Sequence, residues 1–275
     1  MRLVSFRRAS GIASYGRLVG DQVHDLGGES GGSLRGALAG EIDLARAGDL
    51  LPLADVALLP VIPDPAKIFC IGLNYASHIA EMGNSRQAYP TVFTRWSDTL
   101  VAHGRALEKP AATDRFDYEG ELAVVIGKPG RAIPRDQAMA HVAGYSIFND
   151  ASVRDWQRHS SQFTPGKNFP ATAGFGPSLV TPDEIGDLAA QSVRTRLNGA
   201  TMQDQPIADL IFDVPALIAY LSAFTALAPG DVIATGTPGG VGDGRVPPVY
   251  LRPGDVVEVE IGAIGTLTNP VVAGR

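Results

Sequence analysis

The chain has 275 residues, of which 45% are hydrophobic and 19% charged, with a formal net charge of −6. That is enough for a large core with a small appendage, and the basic residues are too scattered for a nucleic-acid surface. One cysteine, Cys70, excludes an intramolecular disulfide and a thiolate metal cluster. No apolar run approaches the ~18 residues of a membrane span, and Met1–Arg8 leads into no apolar leader, so a cytoplasmic protein that binds neither membrane nor nucleic acid is expected.

Taken in chain order, short apolar pieces at 3–6, 16–19 and 22–26, followed by a Gly/Ser-rich turn at 27–33, predict a small β-rich module. A helix follows over 33–47. Pro60, Pro63 and Pro65 cannot continue regular structure and mark a linker, which divides the chain into residues 1–65 and a main domain of 66–275. In that domain the pattern predicts strands at 67–72, 122–127, 143–149, 192–197, 231–235 and 255–261. Helices are expected at 74–83, 134–141, 150–157 and 213–224, the last with Pro215 in its first turn. Strands and helices do not alternate as in a doubly wound sheet. The fold class expected is α+β, mainly β, with a rolled or sandwiched sheet.

Asp117-Tyr118-Glu119-Gly120-Glu121 runs directly into the apolar stretch Leu122–Gly127. Alternate strand positions share a face, so the three acids project to one side. Like charges gathered against an apolar sheet repel and are costly to desolvate unless a cation compensates them. Asp150 closes another apolar run, 142–150, and reaches the same point if the two strands are neighbours. A site of carboxylates alone favours a hard ion such as Mg²⁺, Mn²⁺ or Ca²⁺ over zinc. The alternative is that Glu119 and Glu121 form the solvated face of an edge strand.

Asn74 can cap a short helix that Gly83 ends, with His78 and Glu81 three apart on one face. A carboxylate bonded to an imidazole fixes the tautomer of a general base, although the same spacing also describes an ordinary solvated face. Lys167, between Gly166 and Asn168-Phe169, offers an ammonium to a developing enolate, or is an ordinary loop lysine. Thr235-Gly236-Thr237-Pro238-Gly239-Gly240 follows an apolar strand and can present N–H groups and hydroxyls to an anion. It lacks the ending of a phosphate loop. His103, His141 and His159 have no companions at ligand spacing and are read as structural or surface residues.

In this order the pieces resemble the fumarylacetoacetate hydrolase family. The resemblance rests on Gly72-Leu73-Asn74-Tyr75 with His78 and Glu81, Tyr118-Glu119-Gly120-Glu121-Leu122, Asn149-Asp150-Ala151-Ser152-Val153-Arg154-Asp155, Gly166-Lys167-Asn168-Phe169 and Gly230–Pro238, spread over residues 66 to 270. It implies a mixed β-roll catalytic domain, a homodimer, and Mg²⁺ or Mn²⁺ held by Glu119, Glu121 and Asp150. It also implies His78 and Glu81 as a water-activating dyad of the acylpyruvate hydrolase type, and Lys167, Arg154, Gln157 and Thr237 as substrate contacts. The expected activity is metal-dependent hydrolysis of a carbon–carbon bond in an acylpyruvate or related 2,4-dioxo acid. The alternatives are decarboxylation of a 2-oxo acid such as oxaloacetate, isomerisation or hydration of an unsaturated 2-oxo acid as in the 2-hydroxyhepta-2,4-diene-1,7-dioate isomerase-like members, or a catalytically silent acid-binding protein.

One departure stands out: many relatives carry a pocket lysine where this chain reads Val92-Phe93-Thr94-Arg95-Trp96. If the segment lines the pocket, Arg95 clamps a substrate carboxylate and Trp96 offers an apolar wall. Otherwise it is a lid with Arg95 in water.

Overall fold

The computed structural model describes residues 1–40, 48–76 and 87–275. Gly120–Ile126 (GELAVVI) is buried along its whole length, as its run of apolar and β-branched residues requires. It pairs antiparallel with Val142–Asn149 on one side and with Val232–Ala234 on the other. Successive side chains enter different cores. Leu122, Val124 and Ile126 face one shared with Val193, Val257, Val259 and Leu267, whereas Ala123 and Val125 face a second with Cys70, Phe148, Phe175 and Val232.

Among the described residues these strands belong to a sheet of twelve. Its order is Leu50–Pro52, Gln22–Asp25, Ala13–Val19, Arg2–Arg7, Ala173–Val180, Val142–Asn149, Gly120–Ile126, Val232–Ala234, Ile68–Gly72 and Thr91–Thr94, with Ala57–Leu58 and Leu100–Val101 attached at the side. Five further strands form a second sheet in the order Ala200–Pro206, Ser192–Leu197, Val256–Ile261, Gly265–Ala273 and Leu107–Lys109. The larger core lies between the two sheets, giving the mainly β, mixed architecture expected. The amino-terminal strands keep a small core of their own around Val4, Phe6 and Val23. They are nevertheless hydrogen-bonded into the large sheet, where Arg2 and Leu3 pair with Val180 and Leu179.

Several elements differ from expectation. The helix expected over 150–157 is split: Ser152–Val153 pairs with Phe116–Asp117, and only Arg154–Gln157 is helical. Residues 135–141 form a 3-10 helix, Arg135–His141. The helix at 213–224 is Val214–Phe224, capped by Asp213 accepting from Ala216 N–H at 2.9 Å. Of the helix expected at 33–47, Leu34–Ala39 is helical, capped by Ser33, while 41–47 lie outside the described residues. Ala173–Val180, Ala200–Pro206 and Gly265–Ala273 are strands that the sequence pattern did not announce, since glycine, proline and polar residues interrupt their alternation.

Candidate active site

The acid-rich segment folds with the alternation its spacing predicts. Glu121 faces Phe148 across the ladder and Gly120 faces Asn149, so Glu121 belongs to the side of Ala123 and Val125. Asp150 N–H donates to Glu119 O at 2.8 Å, which carries the pairing one step further and brings Asp150 beside the two glutamates. One carboxylate oxygen from each of Glu119, Glu121 and Asp150 lies within 4.8 Å of the others. All three are buried, at 5%, 1% and 0% exposure, so the solvated edge-strand alternative is excluded.

Each acid has its own support. Lys167 Nζ donates to Glu119 Oε2 at 2.7 Å, to Asp150 Oδ2 at 2.5 Å and to Asp150 O at 3.1 Å, and it stands 5.1 Å from the centre of the Phe93 ring. Arg154 Nη1 lies 2.5 Å from Glu119 Oε1 and 3.1 Å from Gln157 Oε1, while its Nε donates to Asp117 Oδ2 at 2.9 Å. Glu121 Oε2 accepts from Gly236 N–H at 2.8 Å. Gly236 sits at φ +105, and a Cβ there would come within 2.8 Å of Asn74 Cβ and 2.9 Å of Ile71 O, so the position needs glycine.

In this buried cluster Asp117, Glu119, Glu121 and Asp150 face three cations, Arg95, Arg154 and Lys167. Burial, together with the neighbouring charges of Asp150 and Glu119, pushes the Glu121 carboxyl well above the usual carboxylate range. An oxygen-only donor set that carries excess negative charge fits a hard divalent cation.

The triad lines a cavity of about 370 Å³ with Arg154, Gln157, Arg158, Lys167, Phe93, Phe163 and Thr237. Thr237 Oγ1 donates to Gly120 O at 3.0 Å and accepts from Gln203 Nε2 at 2.8 Å. Gln203 also accepts from Gly120 N–H at 3.0 Å through Oε1, tying the glutamate strand to the Thr237 loop. Nothing in the sequence singled out Gln203, because it lies mid-strand among exposed polar residues. Asp117 was visible, but its place is behind the site. It accepts from Gly242 N–H at 2.8 Å and Asp243 N–H at 2.9 Å and holds Arg154.

Two expectations are corrected. Arg95 does not offer its guanidinium to the cavity: it is 3% exposed and donates to Asp150 Oδ1, to Ala151 O and to Thr172 Oγ1, which braces a triad acid from behind. Trp96 is 58% exposed and lines a separate groove with Trp156 and Phe169, so it is no wall of this site. The helix that Asn74 was expected to cap lies, from position 77 on, outside the described residues. Among the described residues Asn74 binds two loops: its Oδ1 accepts from Phe212 N–H and its Nδ2 donates to Thr235 O at 2.7 Å. His78 and Glu81 lie outside the described residues.

This fold and site belong to one family. The fumarylacetoacetate (FAA) hydrolase C-terminal model matches residues 67–272, and the chain is a member of that family. It is 44% identical over 223 residues to oxaloacetate tautomerase YisK of Bacillus subtilis, covering 80% of this chain and 74% of that one. A fumarylacetoacetate hydrolase from Exiguobacterium antarcticum superposes with a TM-score of 0.88 at 38% identity, covering both chains fully. Maleylpyruvate hydrolase from Sphingobium sp. SYK-6, solved with manganese(II) and pyruvate, superposes with a TM-score of 0.82 at 28% identity, again over both chains. No helix among the described residues is long and apolar enough to cross a membrane.

Proposed function

We propose that the protein is a Mg²⁺- or Mn²⁺-dependent enzyme that interconverts the keto and enol forms of a small 2-oxo acid of the oxaloacetate type. The observation that carries this reading is the meeting of Lys167 Nζ with Glu119 and Asp150 at the wall of the cavity, where ammonium and carboxylate triad converge on one point. The tautomerase among its relatives supports the choice of reaction.

Glu119, Glu121 and Asp150 would hold the ion, which when bound supplies Lewis acidity to a 2-oxo acid and makes its adjacent C–H more acidic. The other residues bind and orient. Arg154 and Gln157, one turn apart on the same short helix, present a guanidinium and an amide to the substrate carboxylate. Lys167 exchanges one of its carboxylate contacts for the enolate oxygen, and Thr237 lies across the cavity as a further hydroxyl. His78, paired with Glu81 by sequence spacing, is the base of this proposal. It takes the C3 proton as the C2=C3 bond forms and the C2=O bond opens, and the imidazolium so formed returns a proton to the C2 oxygen, which regenerates the base.

Hydrolysis of an acylpyruvate is the second reading, favoured by the same His78 and Glu81 spacing, with His78 taking a proton from the water that attacks the distal carbonyl and the released carbanion leaving as an enolate that is then protonated. The maleylpyruvate hydrolase likeness supports it. A homodimer and a cytoplasmic location complete the proposal. The test is a product and enol-absorbance assay of Mg²⁺-loaded protein against oxaloacetate, acylpyruvates and cyclic 1,3-diketones. Accelerated loss of the oxaloacetate enol without pyruvate release supports tautomerisation, and pyruvate release from acylpyruvates supports hydrolysis. Acceleration of neither contradicts both.

A further inference from the structure

The short helix Arg154–Gln157 continues into Arg158 at its C-cap, so Arg154, Gln157 and Arg158 stand at i, i+3 and i+4, a single helical face, and all three line the cavity. Arg154 is buried against Asp117 and Glu119. Arg158 differs: its side chain is 46% exposed, which places it at the cavity mouth. It is also held. Its Nη2 donates to Asp243 Oδ2, and the Asp243 side chain, 4% exposed, is fixed in turn by Tyr250 Oη at 2.6 Å and Arg115 Nη2 at 2.7 Å. The bond to Asp243 uses one of five guanidinium N–H donors.

Charge points the same way. Among the described residues, with Glu121 ionised as a bound cation would require, the buried cluster around the triad holds one more carboxylate than cations, and Asp243 with Arg115 and Arg158 adds one net positive charge. The set is therefore neutral, and a divalent cation makes it dipositive, the complement of a dianion. One carboxylate of a dianion goes to the deep end with Arg154. The other needs a cation nearer the entrance.

We propose that Arg158, positioned by Asp243, is a specificity-determining residue that binds the second carboxylate of a dicarboxylate substrate and so distinguishes it from a monocarboxylate. This deepens the oxaloacetate-type reading and rests on it for the choice of substrate.

The test compares oxaloacetate with its 4-methyl ester, which differs by one charge, in Mg²⁺-loaded wild-type, Arg158→Gln, Arg158→Lys and Asp243→Asn proteins. The ratio of kcat/KM for diacid over monoester is expected to fall about tenfold in Arg158→Gln, the scale of a partly exposed charged hydrogen bond. Arg158→Lys should recover part of that ratio, and Asp243→Asn should fall between. A ratio unchanged in Arg158→Gln, including an equal loss on both substrates, overturns the proposal. Calorimetric binding of 3,3-difluorooxaloacetate and its 4-methyl ester, which cannot enolise, separates this from the choice of reaction. If wild type turns over neither substrate yet Arg158→Gln selectively weakens the difluoro diacid, the residue's role stands and the tautomerase reading falls. If wild type binds diacid and monoester alike, the role of Arg158 is wrong.

Discussion

Lys167 reaches Asp150 twice, donating from Nζ to the carboxylate at 2.5 Å and to the backbone oxygen at 3.1 Å. The same Nζ reaches Glu119, so one ammonium tethers two of the three acids that would hold an ion. A buried lysine in such a position both competes with a metal for the carboxylates and stands ready for a substrate oxygen once they turn away.

Lys167→Met should therefore separate binding from chemistry. Activity is expected to fall at least ~10²-fold, while Mn²⁺ affinity stays level or tightens because the competing cation is gone. Steady-state kinetics and calorimetry on the same preparation check this. A parallel collapse of both would mean that the lysine only supports the fold.

Arg95 should act on stability before substrate affinity. Arg95→Met leaves Asp150 buried without one of its cations, a change that costs about 3–5 kcal/mol when a buried pair is broken. Urea unfolding of the metal-free protein should show that loss, and added Mn²⁺ should restore part of it. A pure rise in KM at unchanged stability would return Arg95 to the pocket as a substrate clamp.

Asp243 supplies a pH dependence with a definite sign. Burial alone would raise its carboxyl, but hydrogen bonds from Tyr250, Arg115 and Arg158 outweigh it and hold the group down at about 2, below the ordinary 3.8. A depressed folded-state value means stability that is fully present above the ordinary value and lost as the pH falls from about 4 towards 2. Asp243→Asn should thus be less stable than wild type at neutral pH, with the gap closing across that acid window. Denaturant midpoints measured from pH 7 down to the acid limit of reversible folding check this, and a constant gap would contradict it.

Gly166→Ala probes the contact between two short helices. A Cβ at Gly166 would overlap Gln157 backbone N and Cα, so Thr164–Lys167 must move away from Arg154–Gln157, taking Lys167 with it. Activity should drop by at least about tenfold with little change in far-ultraviolet circular dichroism, since a displacement near 1 Å is costly at a reacting centre. Unchanged kcat would show that the two helices do not set the lysine's position.

Much of the site was legible because its chemistry is local in sequence. Glu119 and Glu121 meet at the triad while Asp117 stands behind it against Arg154, and Asp150 arrives beside the two glutamates because its strand is the immediate antiparallel neighbour. What could not be read were the long-range supports. Arg95 reaches Asp150 across 55 positions and Gln203 reaches Gly120 across 83, distances at which residue spacing carries no information. The expectation for Arg95 rests on its segment standing where many relatives carry a pocket lysine, a position from which a guanidinium could clamp a substrate carboxylate. The nearer carboxylate proved to be the protein's own. The same blindness hid Ala173–Val180, whose glycines and proline read as turns although it bridges the amino-terminal strands to the centre of the sheet.

The central claim is that Glu119, Glu121 and Asp150 form a divalent-metal centre, and titration of the metal-free protein with Mn²⁺, alongside Glu121→Gln, tests it most directly. Wild type should bind one ion per chain. Glu121→Gln should bind it at least ~10²-fold more weakly yet unfold at an equal or higher denaturant concentration without metal, because a carboxyl whose charged form burial and its acidic neighbours disfavour is replaced by a neutral amide. Equal Mn²⁺ affinity in the two proteins, or no binding by wild type, would contradict the assignment.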